Sequence, residues 1–473
     1  MAGEREIGRG ERSRYLVFGA SSVALLMSSI DATIVATALP TMTHELATSI
    51  SWSSWAVTAY LLGQTVAMPL AGKLSDSLGR RRMFLLFVAT FTLSSLACGL
   101  ALNVYVLIVF RFIQALGGGG FMPSAMGVVS DNFGRDRDRA IGLFSSVFPL
   151  GAMLGPALGG FIVGYWSWRG IFFVNVPVGA ALLVLLAWAL PRRAERPREL
   201  AVDLWGSLLL SLTLLSLMLG LNQLGERGLG SPLPWALMTL GGGAGVAFLL
   251  RQERTSYPII APALLKRRAF AVVNGLNLLY GASAIGVFSL VPLYAFDAYR
   301  IGPLQAGTLL TVRACGMMAV SLVASLAIRR TGYRLPIFGG FALIAGGLGL
   351  LAVPDRALGP YGWLAMASLA CGMGVGLAGP ASNNAAIELL PDQVAAISGL
   401  RGMFRQVGGI VSVSVIAFLV AEQGRPVLVL REGFVGLAIL VVAAIPAILG
   451  VPERRSGQRH AWGHGRGGDG KAS

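Results

Sequence analysis

Two residues of opposite charge stand where charge is costly. Asp31 lies inside an apolar run that follows Arg14, and Arg111 lies inside another that begins near Asn103. On insertion scales, a charge at the centre of a bilayer costs about 2.5–3.5 kcal/mol, so such residues are functional candidates by default. Asp31 is the only acid well inside an apolar run. At about 1.5 Å per residue, Asp31 falls roughly 25 Å from the Arg14 end, and Arg111 about 12 Å from the Asn103 end. In antiparallel helices the two reach similar depth. Burial disfavours an ionised carboxylate, while a neighbouring guanidinium favours it. Separating the pair therefore loads a proton on Asp31, and closing it releases one. The alternative is a static ion pair joining two helices.

A second concentration of charge is Gly72-Lys-Leu-Ser-Asp-Ser-Leu-Gly-Arg-Arg-Arg82. No Asp, Glu, Lys or Arg occurs from Leu46 to Gly72, nor from Met83 to Phe110. The stretch reads as a short charged loop between two apolar segments. Its positive charge alone would fix one side of the membrane; its Gly, Asp and Arg positions also allow a gate.

The elements that must carry these residues are membrane helices. The 473 residues are 55% hydrophobic and 13% charged, with mean hydropathy +0.70. A spanning helix needs about 20 apolar residues. Fourteen runs qualify: 15–38, 52–72, 83–101, 104–129, 139–164, 170–190, 204–222, 233–250, 270–295, 303–328, 335–353, 361–387, 395–420 and 433–451. Strand-type alternation is absent, which excludes a barrel. With the N-terminus inside, 28 of the 38 Lys and Arg fall on the inner side, six outside and four within helices. This split places both termini in the cytoplasm. The net charge of +16 sits in short loops, not on one polar face, so no nucleic-acid partner is expected. Cys98, Cys315 and Cys371 are far apart in apolar runs, and His44, His460 and His464 form no ligand pattern, so no metal site or disulfide framework is expected. No signal peptide is expected at the N-terminus.

An internal repeat organises the chain. A shift of 253 lays Gly79 on Gly332 and Arg81 on Arg334. A shift of 257 lays Pro123 on Pro380, Asp131 on Glu388 and Gly142 on Gly399. The expected organisation is a cytoplasmic tail 1–14, a six-helix bundle 15–190, a segment 191–269 with linkers and two extra helices, a second six-helix bundle 270–451, and a disordered basic tail 452–473. Repeats of this kind place a transport site near the membrane midplane.

Five motifs in order resemble the major facilitator superfamily and, within it, the fourteen-helix drug:proton antiporter family. Asp31-Ala-Thr-Ile-Val-Ala-Thr-Ala-Leu-Pro40 is similar to the first-helix signature, and Gly72 to Arg82 to the loop signature. Arg111-Phe-Ile-Gln114 resembles the fourth-helix pattern, with Ala115 in place of Gly. Gly151-Ala-Met-Leu-Gly-Pro-Ala-Leu-Gly-Gly160 resembles the fifth-helix pattern of exporters. Trp168 to Gly179 resembles the sixth-helix entry, with Gly170 in place of an aromatic. The resemblance covers almost the whole chain. It implies an all-helical fold of two six-helix bundles plus two extra helices, and proton-coupled export of lipophilic or amphipathic compounds across the cell inner membrane. It further implies that Asp76 meets the positive end of a helix from the other half, that Arg80 bridges to Asp131, and that Gly72, Gly79 and Arg81 complete an inner gate. Gly151, Gly155, Gly159 and Gly160, with the bend of Pro156, would form a tight contact limiting proton leak.

Other polar residues within apolar runs are candidate cavity positions: Tyr60, Gln64, Asn274, Asn277, Tyr280, Arg313 and Arg405. Arg313, Arg401 and Arg405 have no acid in their own helices. They hold carbonyls of a neighbouring helix or attract an anionic or amphipathic substrate, and the sequence leaves both open. No cofactor is expected: a Gly-rich Lys-Ser/Thr nucleotide motif is absent, leaving the proton gradient as energy source. An enzyme is not expected, since no acid–His or Ser–His constellation occurs. Expected partners are a small-molecule substrate and the lipid bilayer, with the chain a monomer. The alternative cargo is a specific lipid, siderophore or self-made antibiotic.

Overall fold

The computed structural model describes residues 2–48, 50–189, 203–260, 264, 267–353, 358–390 and 393–453. The 190–202 connection and most of the 452–473 tail lie outside the described residues. The described chain is helical, as lipid requires, because a helix satisfies its own backbone polar groups. The first half comprises α1 (Ala2–Glu45), α2 (Ile50–Leu78), α3 (Arg80–Gly99), α4 (Val104–Phe133), the pair α5 (Arg137–Ser145) and α6 (Val147–Tyr165), and the pair α7 (Gly170–Phe173) and α8 (Asn175–Ala189). A hairpin follows, α9 (Leu204–Arg227) and α10 (Pro232–Arg254). The second half comprises α11 (Arg268–Gly281), a π-helical turn Ala282–Val287, α12 (Phe288–Tyr299), α13 (Pro303–Thr331), α14 (Arg334–Ala352), α15 (Gly359–Ile387), α16 (Val394–Gln423) and α17 (Pro426–Ala444).

Twelve of these stretches are long and apolar enough to cross a membrane, among the described residues. Ile50–Leu78 and Leu204–Arg227 are outside that twelve. The first is diluted by polar residues including Gln64, Lys73 and Asp76. The second carries an apolar stretch at Trp205–Leu221. Both are nonetheless continuous helices of 29 and 24 residues, about 43 and 36 Å long at the usual rise.

The expected loop 72–82 is corrected by the structure. Helix α2 runs through Leu78, and α3 starts at Arg80. The break is one residue, Gly79, with φ 101° and ψ 129°. A side chain is strained at that φ, so glycine is the residue that makes so short a turn possible.

Small residues set the packing. In α4, Gly117 and Gly120 face Phe87 and Phe91 of α3, Gly118 faces Tyr60 and Ser28, and Gly119 faces Gln64 and Ala67 of α2. A Cβ at any of the four would press into a neighbour. Glycine weakens a helix in water, but here it lets three helices close on a fourth. In the second half, Gly408 and Gly281 bring α16 and α11 together in the same way. The α9–α10 hairpin packs on α16 and α2, and so lies along the seam between the halves. Asp203 closes the hairpin: its side chain caps α9 through the Gly206 N–H (3.0 Å) and accepts from Arg251 Nε of α10 (2.8 Å).

Candidate functional site

Asp31 and Arg111 meet. Arg111 NH1 lies 2.6 Å from Asp31 Oδ2, with both side chains essentially fully buried. The other carboxylate oxygen accepts from Gln114 Nε2 at 3.1 Å and Asn175 Nδ2 at 3.0 Å. Arg111 also donates to Gln114 Oε1 at 2.7 Å and to the Ala56 carbonyl at 3.2 Å. Its guanidinium lies 4.1 Å from the Tyr60 ring centroid. Gln114 donates to Ser95 Oγ at 2.6 Å. Five helices of one half thus join in one network, and three of them meet at the carboxylate. Gln114 and Asn175 are members of the network that sequence reasoning did not single out. Gln114 carried a signal, since it lies three residues after Arg111, on the same helix face.

The network leaves neither side chain of the pair without a partner. Each oxygen already has donors, and removing one member of a buried ion pair costs about 3–5 kcal/mol because it strands the other.

At the end of the bundle bearing Gly79, a second network spans the two halves. Asp76 Oδ2 accepts the backbone N–H of Ala396 at 2.8 Å, in the first turn of α16. Arg80 holds the other oxygen at 3.1 Å and lies 2.6 Å from Asp131. Arg80 also donates to the Gly127 carbonyl at 2.6 Å, and Arg81 to that of Ala187 at 2.8 Å. Burial pushes the Asp76 carboxyl above its ordinary range; Arg80 and the Ala396 N–H oppose that push. Gly72 is inside α2, against the Ala395 carbonyl and Ala396. One turn earlier in α2, Met68 meets Gly399 and Gly402.

The repeat supplies a second contact between the halves, at α5 and α13. Gly142, the counterpart of Gly399, faces Ser325, which stands where Gly72 stands in the first copy. Neighbouring bonds join Ser146 to Ser321 (2.7 Å), Asn383 to Ser145 (2.8 Å) and Asn384 to the Asp138 carbonyl (3.2 Å). The bonds between the halves described here run through Ser and Asn side chains, where the first contact uses an acid and arginines.

The glycine motif of α6 packs on α1. Gly151, Gly155 and Gly159 face Ser29, Thr33 and Thr37, one helical turn apart. Gly160 is corrected: it faces open space and is not part of the contact. Pro156 is exposed.

Between the halves lies a narrow cavity of about 40 Å³, lined in part by Met122, Phe148, Asn277, Tyr280, Arg401 and Arg405. Four expected lining residues are elsewhere. Tyr60 is buried beneath Arg111 and bonded to Ser28, and Gln64 packs under Gly119. Asn274 donates to the Phe270 carbonyl within its own helix. Arg313 donates to the Ala284 carbonyl in the π-helical turn and stacks on Phe288. Of the two readings left open for the intramembrane arginines, Arg313 follows the first and holds a carbonyl. Arg401, one of the three intramembrane arginines but outside the expected cavity set, is in the lining.

The profile of the Major Facilitator Superfamily matches residues 21–413, with a second match over 273–466. The chain belongs to the major facilitator superfamily. It is a multi-pass membrane transporter and not an enzyme. Among its relatives is the "Multidrug transporter protein MdtP" of Bacillus subtilis (strain 168), 29% identical over 88% of this chain and 77% of that protein. The "Multidrug resistance protein B homolog" of Mycobacterium tuberculosis (strain ATCC 25618 / H37Rv) is 32% identical over 86% of this chain and 76% of its own length. The "Tetracenomycin C resistance and export protein" of Streptomyces glaucescens is 31% identical over 85% and 75%. The solved xylose symporter XylE shares the fold, with TM-score 0.66 over 94% of this chain and 97% of that one, at 15% identity.

Proposed function

We propose that this transporter is a proton-coupled exporter of lipophilic or amphipathic small molecules, working by alternating access in the cell inner membrane. The buried Asp31–Arg111 pair carries the proposal. A carboxylate this deep, held by one cation and two amide donors, is stable ionised while the site is closed and gains a proton when Arg111 is drawn away. The relatives named for multidrug resistance and for antibiotic export support the direction and the cargo. The Asp76–Ala396 contact, with Arg80 and Asp131, acts as the inner gate, shut while the cavity faces outward. The arrangement has fourteen membrane helices and cytoplasmic termini, with α9 and α10 as the extra pair. It needs no cofactor beyond the proton gradient and acts as a monomer. A specific lipid, siderophore or self-made antibiotic is the alternative cargo, favoured by the narrowness of the cavity.

The test is transport in proteoliposomes under an imposed pH gradient, with a panel of cationic, neutral and anionic compounds. Asp31→Asn is expected to abolish gradient-driven export while substrate binding persists; Asp31→Glu, which keeps a proton carrier, is expected to retain part of it. Undiminished export by Asp31→Asn vesicles would refute the coupling role.

A further inference from the structure

The cavity between the halves carries two guanidinium groups and, among the described residues, no acid faces them. Arg401 is 5% exposed. Its Nε donates to Asn383 Oδ1 at 3.1 Å, and its NH2 to Asn277 Oδ1 at 3.2 Å and Ser382 Oγ at 3.1 Å. Its NH1 is buried and has no hydrogen-bond acceptor. All three acceptors are neutral, so they fix the direction of the guanidinium without balancing its charge. Arg405 sits one turn further along α16, about 6 Å on. It donates weakly to Met122 Sδ at 3.6 Å and stacks on Phe148. Arg313 also has a nitrogen without an acceptor, its Nε, but it lies outside this lining and donates to the Ala284 carbonyl.

Neutral oxygens that orient a buried cation, with one N–H group left over, form half of a binding site. Oxyanions are the group a guanidinium fork recognises best, through paired charge-assisted bonds. Around the two arginines the lining is Met122, Phe148, Met317 and Tyr280, apolar or aromatic surface suited to a carbon skeleton. A cationic compound would meet two like charges here. We infer that the cargo carries a single oxyanion, a carboxylate or sulfonate, bound by Arg401 and Arg405 with its apolar body against Met122 and Phe148. The inference deepens the export reading given above and rests on it for the word cargo.

Binding of a dansyl-labelled undecanoic acid and of its methyl ester to the full chain, in neutral detergent without any gradient, tests the site apart from coupling. The acid is expected to bind about tenfold more tightly than the ester, as loss of one charge-assisted contact implies. Arg405→Gln and Arg401→Gln are expected to erase the preference, and Arg405→Lys to restore part of it, with size-exclusion profiles showing each variant folded. Equal binding of acid and ester to the unaltered protein, or a preference that survives both Gln variants, overturns the inference. The anion could come from solution or from a lipid headgroup. Displacement of the probe by decanoate assigns it to a single-chain acid, displacement by dioleoyl phosphatidylglycerol to a headgroup, and displacement by neither overturns the oxyanion reading. Preferential binding without gradient-driven export would leave the anion site standing and refute the coupling proposal instead.

Discussion

At the scale of single residues, the physics of Asp31 is that of a desolvated pair. Asp31 and Arg111 are each satisfied only by the other and by amides. Removing either charge alone strands its partner, while removing both removes the problem. Asp31→Asn is therefore expected to lower stability by about 3 kcal/mol, and the double variant Asp31→Asn/Arg111→Gln to lose less than the sum of the singles. Thermal unfolding in detergent reads this; additive losses would mean that the pair is not mutually dependent. The same scale explains Gly155. A Cβ there would collide with Thr33 of α1, so Gly155→Val is expected to separate the helices at a cost of about 1–3 kcal/mol, read in the same unfolding assay.

At the scale of elements, turns and caps decide how helices pair. Gly79 makes the α2–α3 connection a single residue, which brings Arg80 back over Asp76. The α9–α10 hairpin is closed by Asp203 and Arg251. Burial alone would raise the Asp203 pKa, but the Arg251 bond and the backbone N–H groups outweigh it, and the net shift is downward. A carboxylate with a lowered folded pKa adds stability above its unfolded pKa, and that stability is lost as pH falls through the folded value. Asp203→Asn keeps the cap and removes the charge. It is expected to melt earlier than the unaltered protein near pH 7, by roughly 1 kcal/mol for a partly exposed pair. The difference should close below the ordinary carboxylate range. A difference independent of pH would assign the effect to packing.

At the scale of the molecule, the two halves repeat a contact and differ in its chemistry. In both, a glycine on one helix admits its neighbour from the other half: Gly399 against Met68, and Gly142 against Ser325. The first carries an acid on a helix N-terminus, Asp76 on Ala396. Its counterpart of Asp131, Glu388, accepts from Tyr333 instead of an arginine. Under the gating role proposed above, the Asp76 contact is the better lever on the opening equilibrium. Asp76→Asn is expected to slow export several-fold with little change in substrate binding. Gly72→Val, which would push α2 off the α16 backbone, is expected to shift the molecule toward opening at that end. A cysteine at Ser325 would report it as faster labelling by a membrane-impermeant maleimide. Unchanged labelling would argue that the glycine contact does not govern the opening.

The sequence by itself determined the helical class and the motif positions, because each is a property of one stretch of chain. Charges in apolar surroundings stand out locally, and Gly79 and Asp76 could be read as special for that reason. Tertiary structure alone decided which polar residues face one another. Membrane helices are apolar on the lipid side and on the packed side alike, so periodicity does not reveal which face is inward. That is why Tyr60, Gln64, Asn274 and Arg313 read as cavity residues and prove to be packed elsewhere, and why Gly160 joins a motif whose contact it does not make. Asn175 shows the converse. Its significance comes from a partner 144 residues away, and a separation of that size leaves no trace in the local pattern.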